Sequence, residues 1–184
     1  MNRSFERLMA GNRIYIDTGR GSGDFSEKRR EETADHQHPF IVVITCSDSR
    51  VVPEEIFSVS LGDIFTVRTA GNTIGESELG SIEYALDHLH VRDVLVLGHE
   101  NCGAVKAALS GHTEGYAGAL VKKIQFSIGE ETVPEKASLK NAEHSAKVIY
   151  QTFRDRFPDL EVRYAIYRLK TGLVEFSDKK KDIG

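Results

Sequence analysis

The sequence predicts an α/β fold: a mostly parallel central β-sheet flanked by helices, Rossmann-like, with a C-terminal strand pair and an N-terminal helical arm. Three observations carry this. "PFIVVIT" and "RDVLVLGH" are continuous, largely β-branched apolar runs, the pattern of strands buried on both faces of a parallel sheet. Helical patterns alternate with the strands, as crossover connections require. The chain closes on two short apolar runs separated by "KTG", a tight-turn signal. We expect a single domain over residues 1–184, with an arm and connection over 1–36 and the α/β core over 37–184.

In order, residues 2–16 read as a helix whose apolar members are Phe5, Leu8, Met9 and Ile14. "GRGSGDFSEKRREETADHQ" is a polar, Gly-rich connection with a short helix near Glu27–Ala34. Phe40–Thr45 is the first strand and Asp63–Ala70 the second. Over 75–90, Leu79, Ile82, Leu86 and Leu89 recur at steps of three and four, which predicts an amphipathic helix. Arg92–His99 is the third strand. The next helix spans "NCGAVKAALSG", opening at Asn101 as N-cap and stopping at Gly111. Residues 117–128 form a further helix, "GEETVPEK" a loop, and Leu139, Ala142, Ala146, Ile149 and Phe153 mark a helix ending near Pro158. "LEVRYAIYRL" and "LVEFS" are the final strand pair.

The bulk numbers exclude several classes. At 184 residues, 40% hydrophobic and 28% charged, the chain suits one globular domain with a sizeable core. A formal net charge of -4 argues against a nucleic-acid partner. The one dense basic run, "DKKKD", reads as a solvated tail. No stretch approaches the ~18 apolar residues of a membrane span, and the first residues lack a secretory apolar core. The expected location is the cytoplasm, where two cysteines remain thiols.

Sites in parallel α/β sheets form beyond the carboxyl ends of the strands. Here the first strand ends at Cys46, and the third ends at His99 with Cys102 three residues on. Two thiolates and an imidazole suit zinc, and three protein ligands leave a fourth position open. Each cysteine alone reads equally as a small buried hydrophobe; the convergence of both on one rim is the stronger signal. Asp48 can fill the fourth position or accept a proton from a bound water. Arg50 can hold a carboxylate through two parallel hydrogen bonds. If extended backbone persists past the strand, residues 46, 48 and 50 share one side. A Cys46–Cys102 redox pair and a closed structural zinc site are the competing readings. His36, His38, His88, His90, His112 and His144 read as solvated.

These motifs resemble the β-class carbonic anhydrases over most of the chain. "CSDSRVVPEE" and "GHENCGAVKAAL" are similar to the family's two zinc motifs, and "GDIFTVRTAGN", "SIEYALDHLHVRDVLVLGH", "LMAGNRIY" and "VRYAIYRLKTGLVEF" to the segments around them. The resemblance implies one Zn2+ per chain on Cys46, His99 and Cys102, with Asp48 either a fourth ligand or the partner of Arg50. It places substrate-binding roles on Gln37, Phe65, Tyr84 and Gly103. It implies reversible hydration of CO2 to bicarbonate by a zinc-activated water, with Asp48 and Arg50 orienting the attack. It further implies a homodimer or larger assembly in which pocket residues reach a zinc held by another chain. Activity should rise towards mildly alkaline pH, because two thiolates acidify the water less than histidines do. Val43 stands where some members carry the tryptophan of a non-catalytic bicarbonate site. Carbon disulfide and carbonyl sulfide hydrolysis on the same site is the nearest alternative activity.

Overall fold

The computed structural model describes residues 3–111 and 114–177; His112 and the "DKKKD" run lie outside them. The elements are α1 (Arg3–Thr18), α2 (Glu27–Thr33), β1 (Ile41–Cys46), α3 (Pro53–Ile56), β2 (Ile64–Thr69), α4 (Glu76–His88), β3 (Asp93–His99), α5 (Gly103–Leu109), α6 (Gly115–Ile128), α7 (Pro134–Phe153), β4 (Glu161–Tyr167) and β5 (Val174–Phe176). The sheet order is β2-β1-β3-β4-β5. The first four strands are parallel and β5 runs antiparallel to β4, the expected terminal pair.

Side chains alternate across the sheet and build two cores. Val42, Ile44, Val94, Val96, Val162 and Ile166 face α4 and α7. Ile41, Val43, Leu95, Leu97 and Ala165 face the opposite way, where Phe5 and Leu8 of α1 and Ile56 of α3 close over them. A third, smaller core of α5 and α6 residues covers the carboxyl rim and includes Cys46 and Cys102. Helix α1 is tied down at Asn12, whose amide donates to the carbonyls of Ile56 and Gly172 and accepts from the Val174 N–H at 2.9 Å. Ile14, assigned to the apolar face of this helix, is 42% exposed.

Three local expectations change. Helix α7 starts at Pro134, inside the presumed loop, because proline at the first helical position has the right φ and lacks a donor the helix would leave unused. Its inward stripe begins with small residues, Ala137, Ser138, Asn141, Ala142, Ser145 and Ala146, and ends with the expected Ile149 and Phe153, while Leu139 is exposed. Cys102, not Asn101, is the N-cap of α5, and Asn101 takes a left-handed conformation at φ 56°. Gly111 does close that helix, with φ 76°. Among the described residues no helix is long and apolar enough to cross a membrane.

Candidate metal centre

Cys46 ends β1 and His99 ends β3, the strand beside it; Cys102 follows at the start of α5. Parallel pairing sets Thr45 against Leu97, so both strands stop at the same rim. Gly98 lets the end of β3 pack closely: a Cβ there would lie 2.9 Å from Ile166 Cδ1 and 3.2 Å from Ala142 Cβ. The donor atoms of Cys46, His99 and Cys102 all lie within 4.8 Å of one another, and all three residues are buried. The two Sγ atoms are 4.0 Å apart.

The histidine is oriented for ligation. Its Nδ1 lies 2.9 Å from the Glu100 carbonyl oxygen. A carbonyl only accepts, so Nδ1 carries the proton and Nε2 presents a lone pair. That Nε2 is buried with no hydrogen-bond partner. A buried, unpartnered acceptor is costly unless something occupies it. The donor set fits zinc: sulfurs on one tetrahedral ion at ~2.3 Å stand about 3.8 Å apart, close to the spacing found. Either thiol can donate to the other across the 4.0 Å between them. The Cys46 thiol is pulled well below its ordinary range, chiefly by the hydrogen bond from Cys102, with the Gly71 N–H adding to it. Cys102 is pushed up by the same bond and by burial.

Asp48 and Arg50 are also brought together, but not by extended backbone. The chain turns after β1, with the Val51 N–H bonded to the Asp48 carbonyl at 3.0 Å. The Asp48 side chain accepts from the Arg50 backbone N–H at 3.0 Å, the self-bonding that favours aspartate in turns. The turn sends Arg50 back onto Asp48, so the expected shared side of residues 46, 48 and 50 gives way to a clamp. Arg50 Nε meets Oδ1 at 2.9 Å and Nη2 meets Oδ2 at 2.7 Å. This bidentate bond, foremost, holds the Asp48 carboxyl well below the usual carboxylate range. Asp48 Oδ2 is 4.0 Å from His99 Nε2, outside the three-donor cluster. Arg68, on β2, holds the turn from the other side, donating to the carbonyls of Cys46 at 3.2 Å and Asp48 at 2.8 Å.

Three of the four residues assigned to substrate, Gln37, Phe65 and Tyr84, lie away from the metal cluster. Phe65 pairs with Val42, four residues before Cys46 and about 13 Å back along the strand. Its ring is 6.2 Å from that of Tyr84. Gln37 and Tyr84 line an open cavity of about 980 Å3 with His36, His38, His88 and His90, and no metal-cluster residue borders it. Gly103 is the first residue of α5, next to Cys102. Sequence reasoning passed over Gly71, whose N–H donates to Cys46 Sγ at 3.2 Å. The available signal was "AGN" directly after a strand, a place where glycine often serves backbone geometry.

A Cys-His-Cys donor cluster at the carboxyl rim of a parallel α/β sheet, flanked by an arginine-held aspartate, is a group of side chains that could hold a metal ion. Comparison with known proteins makes this specific. Residues 41–174 match the family model for carbonic anhydrase. The chain is 52% identical over 88 residues to a carbonic anhydrase of Mycolicibacterium smegmatis, covering 48% of this chain and 43% of the relative. It is 43% identical over 112 residues to carbonic anhydrase 2 of Mycobacterium tuberculosis, covering 61% and 54%. The matched segments thus span about half the length of these relatives. Among solved structures, the β-carbonic anhydrase CafA of Aspergillus fumigatus superposes with a TM-score of 0.71 at 25% identity, over 98% of this chain and 95% of its own. The Coccomyxa β-carbonic anhydrase bound to acetazolamide gives 0.70 at 28%, over 94% and 85%. The chain belongs to the carbonic anhydrase family, in its β class.

Proposed function

We propose that this chain is a zinc-dependent carbonic anhydrase that interconverts CO2 and bicarbonate. The observation that carries the reading is the buried, unpartnered Nε2 of His99 facing two thiols. Cys46, His99 and Cys102 would hold one zinc ion per chain. When bound there, zinc acidifies a water and so supplies a nucleophile near neutral pH. Asp48, kept ionised and aimed by Arg50, accepts a hydrogen bond from the attacking oxygen and orients it towards carbon. The reading of a closed structural site has less support, because Arg50 already engages both oxygens of Asp48.

Gln37, Phe65 and Tyr84 form the substrate wall in this proposal, with Gln37 donating to a substrate oxygen and the rings providing an apolar surface for a small gas. Their distance from the metal cluster within one chain favours a site completed by a second copy. The test is zinc content with stopped-flow CO2 hydration at pH 8.5. Zinc-loaded protein without hydration would sink the assignment. Full activity in Cys102→Ala would sink the ligand set, and full activity in a light-scattering monomer would sink the shared wall.

A further inference from the structure

We propose that Asn141 is a positioning residue for the metal centre, holding the turn after β2 so that the Gly71 N–H points at the Cys46 sulfur. The turn covers Ala70–Asn72, and Gly71 within it is left-handed, at φ 67° and ψ 24°. Glycine is required twice over. Other residues avoid this backbone region, and a Cβ would lie 2.7 Å from Ile124 Cδ1 and 3.0 Å from Ala104 Cβ. The turn is therefore wedged between α5, which carries Cys102, and α6.

From the far side, α7 grips the turn by its carbonyls. Asn141 Nδ2 donates to the Gly71 oxygen at 2.7 Å, and Ser145 Oγ donates to the Asn72 oxygen at 3.0 Å. Four residues apart on one helix face, they hold consecutive peptide units. The Asn141 amide is itself oriented, because its Oδ1 accepts from Ser127 Oγ of α6 at 2.7 Å. Asn141 and Ser145 are 2% and 3% exposed, so water offers little substitute for these bonds. The chain of contacts runs Ser127, Asn141, Gly71, Cys46. Its last link, an N–H to a thiolate, withdraws electron density from the ligand sulfur and fixes its direction. Groups that orient a metal's ligands in this way typically contribute 10–100-fold to metal affinity.

The inference rests on the metal reading of Cys46, His99 and Cys102, and the experiment separates the two. Zinc dissociation constants are measured by chelator competition for wild type, Asn141→Leu and Ile149→Val. Ile149, also on α7 and fully buried, lies away from the turn and controls for general loosening of the helix. The cobalt-substituted proteins report the thiolate-to-metal charge-transfer band. We expect Asn141→Leu to bind zinc 10–100-fold more weakly, with its band moved to longer wavelength, and Ile149→Val to change neither. Ser127→Ala, which keeps Asn141 but frees its amide, should show a smaller change in the same direction, and it carries the test if Asn141→Leu does not fold. Zinc affinity within twofold of wild type and an unmoved band in these variants, or equal changes in Ile149→Val, would overturn the inference. Failure of wild type itself to bind zinc would instead overturn the metal reading.

Discussion

Replacing Asp48 with asparagine separates chemistry from folding at this site. The substitution keeps the shape of the side chain. Oδ1 can still accept from the Arg50 backbone N–H and from Nε, at 3.0 and 2.9 Å. The other oxygen, which receives Nη2 at 2.7 Å and stands 4.0 Å from His99 Nε2, becomes an NH2. A donor then faces a guanidinium donor on one side and the metal centre on the other. The loss to folding should be small, since Arg50 is 54% exposed and solvent screens the pair. We expect a Tm within about 3 °C of wild type. The loss to catalysis should be large, because the attacking oxygen loses its acceptor. Positioned proton acceptors contribute ~10²–10⁴-fold, or roughly 2.7–5.4 kcal/mol of barrier. Stopped-flow CO2 hydration at pH 8.5, with zinc content and a thermal melt on the same samples, measures all three quantities. A folded, fully zinc-loaded Asp48→Asn enzyme within tenfold of wild type would refute the reasoning. So would a melt that collapses in step with the rate.

Gly71→Ala should be destabilising by about 2–5 kcal/mol, from ~1–2 for the left-handed backbone and ~1–3 for the crowded Cβ. A Tm lowered by roughly 5–15 °C would agree, and a change under 2 °C would not. His99→Ala should abolish stoichiometric zinc binding, and a chelator that lowers the wild-type Tm should leave that of the variant unmoved; retained zinc would contradict the ligand assignment. The Asp48 carboxyl is depressed by Arg50, so the pair's contribution is present above the ordinary carboxylate pKa of ~3.9 and is lost as pH falls towards the folded value. The difference in urea midpoint between wild type and Asp48→Asn should thus hold from pH 8 to 6 and shrink only in acid. A difference that closes above pH 6 would show that Asp48 is not held as described.

The strands and the Cys46, His99 and Cys102 cluster were legible because each rests on a local pattern. Continuous apolar runs fixed β1 and β3, and steps of three and four fixed α4, whose Ile82 and Leu86 are fully buried. Cys46 and His99 end strands that the pattern could place and Cys102 opens the helix that follows, so the parallel-sheet rule put them on one rim. Helix α7 was harder. Its second half was marked by Ala142, Ala146, Ile149 and Phe153, all buried, but its first turns bury only alanine, serine and asparagine, and its start is masked by a polar run around Pro134. The turn at 48–51 was missed for a related reason: an aspartate that bonds its own backbone does not announce itself in hydropathy. Gln37, Phe65 and Tyr84 are a different case, since their placement depends on a resemblance and spacing within one chain does not bring them to the metal cluster.

Part of what sequence reading left out joins residues farther apart along the chain than the cluster itself. The three residues of the cluster lie within a separation of 56, from Cys46 to Cys102. The bonds that set the geometry behind Cys46 join Asn141 to Gly71 over 70 residues and Ser145 to Asn72 over 73. Such contacts have no motif, because each residue is ordinary in its own neighbourhood. Asn141 sits in a helix where asparagine is a poor former, Ser145 where serine competes with the backbone. The locally unfavourable residue on a buried helix face is thus itself a signal, as most buried amides and hydroxyls take a partner. Here the partners are the carbonyls of a turn whose Gly71 N–H is directed at the Cys46 sulfur. The charge at the end of β1 follows the same logic at shorter range: Asp48 and Arg50 satisfy each other, and the carboxylate is left facing His99.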